Sequence, residues 1–213
     1  WESDRDSRAA RCRAWQQTET IGYDTQFVEK IRGDLISPEW NTVDFDDSLW
    51  EPAVENPFDD HTLVPQQTRP VFVRLQQPAK LKWRDGVLFG DMGEEVTGSV
   101  TFLAAAASRR AILVRCGEEL NKDGSVRYRM RCNCNYENEW QLSGRETDLV
   151  EFYDYMAFRY FEIHCPANTV FSDTVCAEIR HYPMQEESCV FQTDDPQANQ
   201  IFEICRRGVM LGT

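Results

Sequence analysis

Carboxylates come first among the side chains here that could do chemistry. In "GDMGEEVTGSVTF" (90–102), Asp91, Glu94 and Glu95 stand close together. Cleaving a glycosidic bond takes two carboxyl groups placed on either side of it. Neighbours on a strand point to opposite faces, so Glu94 and Glu95 are expected to serve structure rather than flank one bond. In "CGEELNKDGSVRYRMR" (116–131), Glu118, Glu119 and Asp123 gather near a turn. Calcium accepts about six to eight oxygens and can use such a loop. The spacing departs from an EF-hand, and Asp123-Gly124 is also an everyday hairpin turn, so calcium is the lesser reading. "FYDYMAFRYFEIH" (152–164) is dense in rings. Phe158, Tyr160 and Phe161 are expected in a core, and Arg159 is expected to anchor a carboxylate through a bidentate pair. Trp140, Tyr153 and Tyr155 are the candidates for a carbohydrate platform, because exposed rings stack on sugar faces.

The histidines, His61, His164 and His181, form no metal pair at i, i+4. There is no G-x-S-x-G elbow and no glycine-rich phosphate loop. No set of residues is expected to perform covalent or acid–base chemistry, and no metal or cofactor is assigned beyond the calcium reading.

The elements that must hold these residues are mostly strands. With 213 residues, the chain is long enough for a genuine core. No apolar run approaches the ~20 residues that span a bilayer. The net charge of −13 argues against nucleic acid and anionic membrane surfaces, and leaves a neutral ligand such as a sugar compatible. Of the eight cysteines, Cys116, Cys165, Cys176 and Cys205 lie in apolar patterns and read as reduced, buried thiols. Cys132 and Cys134 form a lone C-x-C without a second knuckle, so zinc is not expected. This thiol usage and the charged N-terminal stretch favour a cytoplasmic setting.

Residues 1–70 read as a loop-rich segment, with membership of a preceding β domain as the alternative; its turns are expected to be pinned by Trp40, Phe45 and Trp50 and by local bonds from Asp46, Asp47 and Ser48. From Val71 to Thr193 short β-rich runs alternate with turn signals: "VFVRL", "GSVTFL", "RRAILVRC", "SVRYRMR", "NYENEWQL", "FRYFEIH", "DTVCAEIRHY" and "SCVFQT". That spacing predicts an all-β chain, an antiparallel β-sandwich or jelly roll over 71–193. In "SVRYRMR", Val126, Tyr128 and Met130 are expected on one face and the arginines on the other. Gly98 marks a place where a neighbouring backbone passes closely.

Residues 194–213 read as an amphipathic helix. Asp195 suits the N-cap and Pro196 the first turn. Ala198, Ile201, Phe202, Cys205 and Val209 recur at helical spacing, and a stripe that wide is expected to pack against a further body.

"FDDSLWEPA", "DMGEEVTGSVTF", "GEELNKDGSVRYRMR", "WQLSGRE", "FRYFEI" and "FQTDDPQANQIFEIC" occur in this order. Together they resemble bacterial α-L-rhamnosidases of glycoside hydrolase family 78, over roughly residues 36 to 213. The resemblance implies β-sandwich domains ahead of an (α/α)6 barrel that carries the active site, with an inverting release of terminal L-rhamnose. None of that family's catalytic acids maps onto this sequence, so the expected role is a non-catalytic accessory region whose terminal helix leads into the barrel. The alternative is an autonomous carbohydrate-binding module. The partners implied are the barrel and rhamnose-containing carbohydrate.

Overall fold

The computed structural model describes residues 15–17, 28–37, 39–52, 62, 64–106, 110–131, 134–184 and 189–212. Cys12, His61 and Cys132 lie outside the described residues.

Among the described residues, ten strands form one curled sheet in the order β1-β2-β7-β6-β9-β5-β10-β3, with β4 and β8 also paired to β5. They are β1 (Trp15–Gln17), β2 (Glu29–Arg32), β3 (Phe72–Gln76), β4 (Lys80–Arg84), β5 (Val87–Ala105), β6 (Ala111–Gly117), β7 (Glu137–Gln141), β8 (Asp148–Val150), β9 (Met156–His164) and β10 (Val170–His181). Among the described residues there is one α-helix, α1 (Pro196–Leu211), and one short 3-10 turn, Gly33–Leu35.

The 19-residue β5 organises the fold. Its first half pairs with β4 and β9, and its second half with β10 and β8. One cluster of buried side chains joins the two halves: Leu88 and Met92 from the first, Val100, Phe102 and Ala104 from the second, with Phe158, Phe161, Ile163, Ala177 and Ile179 from β9 and β10. The sheet therefore folds back on itself, and its two halves face each other in the manner of a sandwich. At Asp85-Gly86 both residues have positive φ, 47° and 83°, the two-residue turn that matches strand twist between β4 and β5. At Gly98 a β-carbon would meet the Glu178 carbonyl oxygen at 2.1 Å, so the expected close passage is real.

Three departures from the sequence pattern have physical causes. The segment 125–131 makes only isolated bridges, Leu120 to Val126 and Arg129 to Asn135, rather than a continuous ladder. Its alternation survives in burial, because Val126 is inserted and Tyr128 and Met130 pack partly on the core. The described part of "SCVFQT", residues 189–193, is not a strand: Phe191 turns instead to the helix and packs on Phe202, ring centroids 5.2 Å apart. The N-terminal segment also contributes more than loops. β2 pairs parallel with β7, the Glu29 N–H donates to Asn138 Oδ1 at 2.9 Å, and Arg145 donates to the carbonyls of Gly33 and Ile36. The turns of 39–50 form as expected, with Ser48 N–H bonded to Asp46 and the Phe45 and Trp50 rings 5.0 Å apart, and Trp40 is 45% exposed.

Candidate functional site

The candidate site is the corner of β5 and what docks on it. Between Asp91, opposite Tyr160, and Val96, opposite Phe158, β5 carries four residues where β9 carries one. A bulge of this size bends the strand and breaks its strict alternation. Gly93, Glu94 and Glu95 are consecutively exposed, which overturns the expectation that Glu94 and Glu95 point to opposite faces.

Each carboxylate of the corner has its own surroundings. Burial works to raise the Asp91 carboxyl, yet Arg159 and the Gly93 N–H outweigh it and hold it below the ordinary range. Arg159 donates through Nε to Oδ1 at 3.0 Å and through a terminal nitrogen to Oδ2 at 3.4 Å, the bidentate pair expected of it. The Arg159 guanidinium also lies 4.9 Å from the Tyr160 ring centroid. Burial first, and then the neighbouring charges of Glu95 and Glu119, push the Glu118 carboxyl up.

The helix reaches this corner through Arg207. Its guanidinium pairs with Glu94 at 2.9 Å and donates to the backbone carbonyl of Glu95. Asp195 caps α1 by accepting from the Gln197 and Ala198 N–H groups, and Pro196 occupies the first turn. No residue of α1 is buried; Ile201, Ile204 and Val209 are more than half exposed. Cys205, expected inside, is exposed as well. Beside the helix, Cys189, Val190, Phe191, Phe202, Glu203 and Arg206 line a recess of about 250 Å³. The geometry clamps: two carboxylates are bound by guanidinium groups, and the helix is held from its charged side.

The other candidates are dispersed. Trp140 is buried in the core, edge-on to Phe152, and its indole N–H donates to Asp148 Oδ2 at 3.3 Å. Both faces are enclosed, which corrects its reading as a sugar platform. Tyr153 and Tyr155 are exposed, 44% and 56%, near the turn after β8. Phe158 and Phe161 are fully buried, whereas Tyr160 is half-buried and stacks on Phe89. Asp123 spends Oδ1 on the backbone N–H and hydroxyl of Ser125 within its turn. His164 joins Glu162, Arg115 and Glu137 in a half-buried polar row. Burial pushes the Cys165 thiol up to about 12, and all six cysteines among the described residues are free.

The segment from β4 to β10, residues 81–181, matches the family model of the bacterial alpha-L-rhamnosidase concanavalin-like domain. This match takes in just under half of the chain. A curated α-L-rhamnosidase of Streptomyces avermitilis is 25% identical over 188 residues, 80% of this chain and 18% of the relative. The solved structure of a Streptomyces avermitilis α-L-rhamnosidase complexed with L-rhamnose has a TM-score of 0.61 at 22% identity, covering 82% of this chain and 17% of that one. The native α-L-rhamnosidase of Aspergillus terreus gives 0.66 at 21% identity, covering 88% and 22%. Likeness at this identity is likeness of fold. The chain thus spans about a fifth of the length of these relatives. Arg207 and the Glu94 corner, which tie α1 to the sheet, were not legible beforehand: their partnership joins positions 113 residues apart.

Proposed function

We propose that this chain is a non-catalytic accessory region of an α-L-rhamnosidase-type protein, a sandwich that fixes the bearing of α1 for a further body. One observation carries the reading: α1 is bound to the domain by Arg207 while Ile201, Ile204 and Val209 face outward. An apolar stripe on a helix stabilises a protein only when something covers it. The (α/α)6 barrel that the family resemblance implies is the body of the right kind. The carboxylates at the corner support the same reading, since Asp91 and Glu94 are engaged by arginines and hold position rather than a scissile bond.

The test is turnover. The purified chain, incubated with an aryl α-L-rhamnoside, is expected to release no more phenol than a buffer blank; sustained release overturns the non-catalytic assignment. A second reading, carbohydrate binding, is favoured by one observation, the exposure of Tyr153 and Tyr155 beside charged strand residues.

A further inference from the structure

The connection from β6 to β7, described over 118–131 and 134–136, folds back over the outer face of the sheet. A β-carbon on Gly117 would meet the Arg127 carbonyl oxygen at 2.8 Å, and Val126 is 1% exposed. On β9, Phe161 and Ile163 belong to the core, so Glu162 and His164 point to the side where this connection lies. Two side chains hold it there. Glu162 Oε1 accepts from the Val126 N–H at 3.1 Å, and the Arg115 guanidinium lies 4.3 Å from the Tyr128 ring centroid. His164 stands between these two holds, and one of its atoms touches both. Its Nε2 lies 3.1 Å from Glu162 Oε2 and 3.3 Å from Arg115 Nη1. An ionised carboxylate only accepts and a guanidinium only donates, whereas a ring nitrogen carries either a proton or a lone pair. Nε2 can therefore satisfy one of these partners at a time.

We infer that His164 is a proton-operated selector for this connection: bare Nε2 accepts from Arg115 and secures Tyr128, whereas protonated Nε2 donates to Glu162 and secures Val126. In the bare state the ring keeps its one proton on Nδ1. Uptake of a proton at Nε2 makes the imidazolium, breaks the Arg115 bond and forms the Glu162 bond. Like charge then turns Arg115 to Glu137, which its Nε already meets at 2.5 Å. An imidazole changes charge between about pH 5 and 8, and the His164 side chain is 27% exposed, so solvent protons reach it. The Glu162 carboxyl is held below the ordinary range by His164 and the Val126 N–H, so it stays ionised across that window. The remaining groups facing the ring come from every neighbouring strand. Leu113 of β6 and Val87 of β5, directly opposite His164, are uncharged. Beyond them, Glu139 of β7 pairs with Lys30 at 3.4 Å, and Arg84 of β4 donates to the Gly124 carbonyl at 3.0 Å. Glu162 and Glu137 favour the imidazolium, while Arg115 and Arg84 oppose it.

The experiment is nitrogen-15 NMR of the intact chain between about pH 5 and 8. At the alkaline end the His164 Nε2 signal is expected at the position of a bare ring nitrogen, and Nδ1 at that of a protonated one. Acidification is expected to shift the Val126 amide and the Tyr128 ring signals with the same midpoint as the His164 ring. Arg115→Met removes the donor that keeps Nε2 bare, so the neutral ring is expected to switch to the Nε2–H tautomer facing Glu162, and the Val126 shift to flatten. His164→Gln is expected to abolish the shifts of both Val126 and Tyr128. A neutral ring that carries its proton on Nε2 in the unaltered chain overturns the inference, because His164 then serves Glu162 at every pH. A Val126 shift that persists in His164→Gln also overturns it, since another group then controls the hold. The tautomer is read in the unaltered chain, so it decides the matter even where a variant does not fold. One contact replaces another, so the readout is local and the unfolding midpoint is not its measure.

Discussion

Gly90 lies opposite Phe161 across β5 and β9, and the phenyl ring fills the space where a β-carbon on residue 90 would stand, 2.1 Å from Cζ. Phe161 is fully buried beneath it. Gly90→Ala forces that ring to move within a packed core, at a cost of about 1–3 kcal/mol. A lower urea midpoint with an unchanged slope is the expected outcome. Phe161→Leu in the same chain is expected to return part of the loss, and strict additivity of the two changes would show that they do not share the space.

Acid should loosen the bond by which Glu162 holds the backbone at Val126. Burial alone would raise the Glu162 carboxyl, but the His164 ring at 3.1 Å and the Val126 N–H at 3.1 Å hold it below the ordinary range. A carboxyl depressed in the folded state contributes stability above its unfolded value, about 4.3, and loses it as the pH falls through the folded value. Urea midpoints are expected to be level near neutrality and to drop below about pH 4, with a shallower drop in Glu162→Gln.

Glu118 has the opposite sign. Burial and the charges of Glu95 and Glu119 raise it, so its contribution is present below about pH 4.3 and is lost as the pH rises through the folded value. Glu118→Gln is therefore expected to raise the urea midpoint at pH 7 and to have no such benefit at pH 3.5. A lower midpoint at pH 7 contradicts the assigned repulsion.

Arg207→Met removes the tie between α1 and the corner. The 2.9 Å pair with Glu94 is partly solvated, and such pairs contribute about 0.2–1 kcal/mol. Global stability should change little. Hydrogen exchange is expected to accelerate in the α1 amides and to stay unchanged in β9, because a 16-residue helix is marginal in water without tertiary support. Equal protection in the variant and the parent shows that Phe191 and Phe202 hold the helix unaided.

Local patterns in the sequence carry much of this architecture. Asp85-Gly86, the Asp195 cap and the buried Phe158 and Phe161 all follow from rules that act within a few residues. Arg159 was legible as a carboxylate partner, and Asp91 proves to be that partner. The bulge was hidden because it depends on how much of β9 lies opposite residues 92–95, which no local period encodes. Trp140 was misleading for a related reason: a Trp in an alternating strand reads the same whether its face is wet or enclosed, and only the placement of Asp148 and Phe152 decides.

β5 has one further consequence. Because a single strand belongs to both facing layers, neither layer can slide or tilt without pulling on the backbone of the other. Arg207 attaches at the bend of that strand, so a torque on α1 enters the molecule where the two layers meet. A load placed on the helix through this contact would thus be shared by both layers from the bend outward.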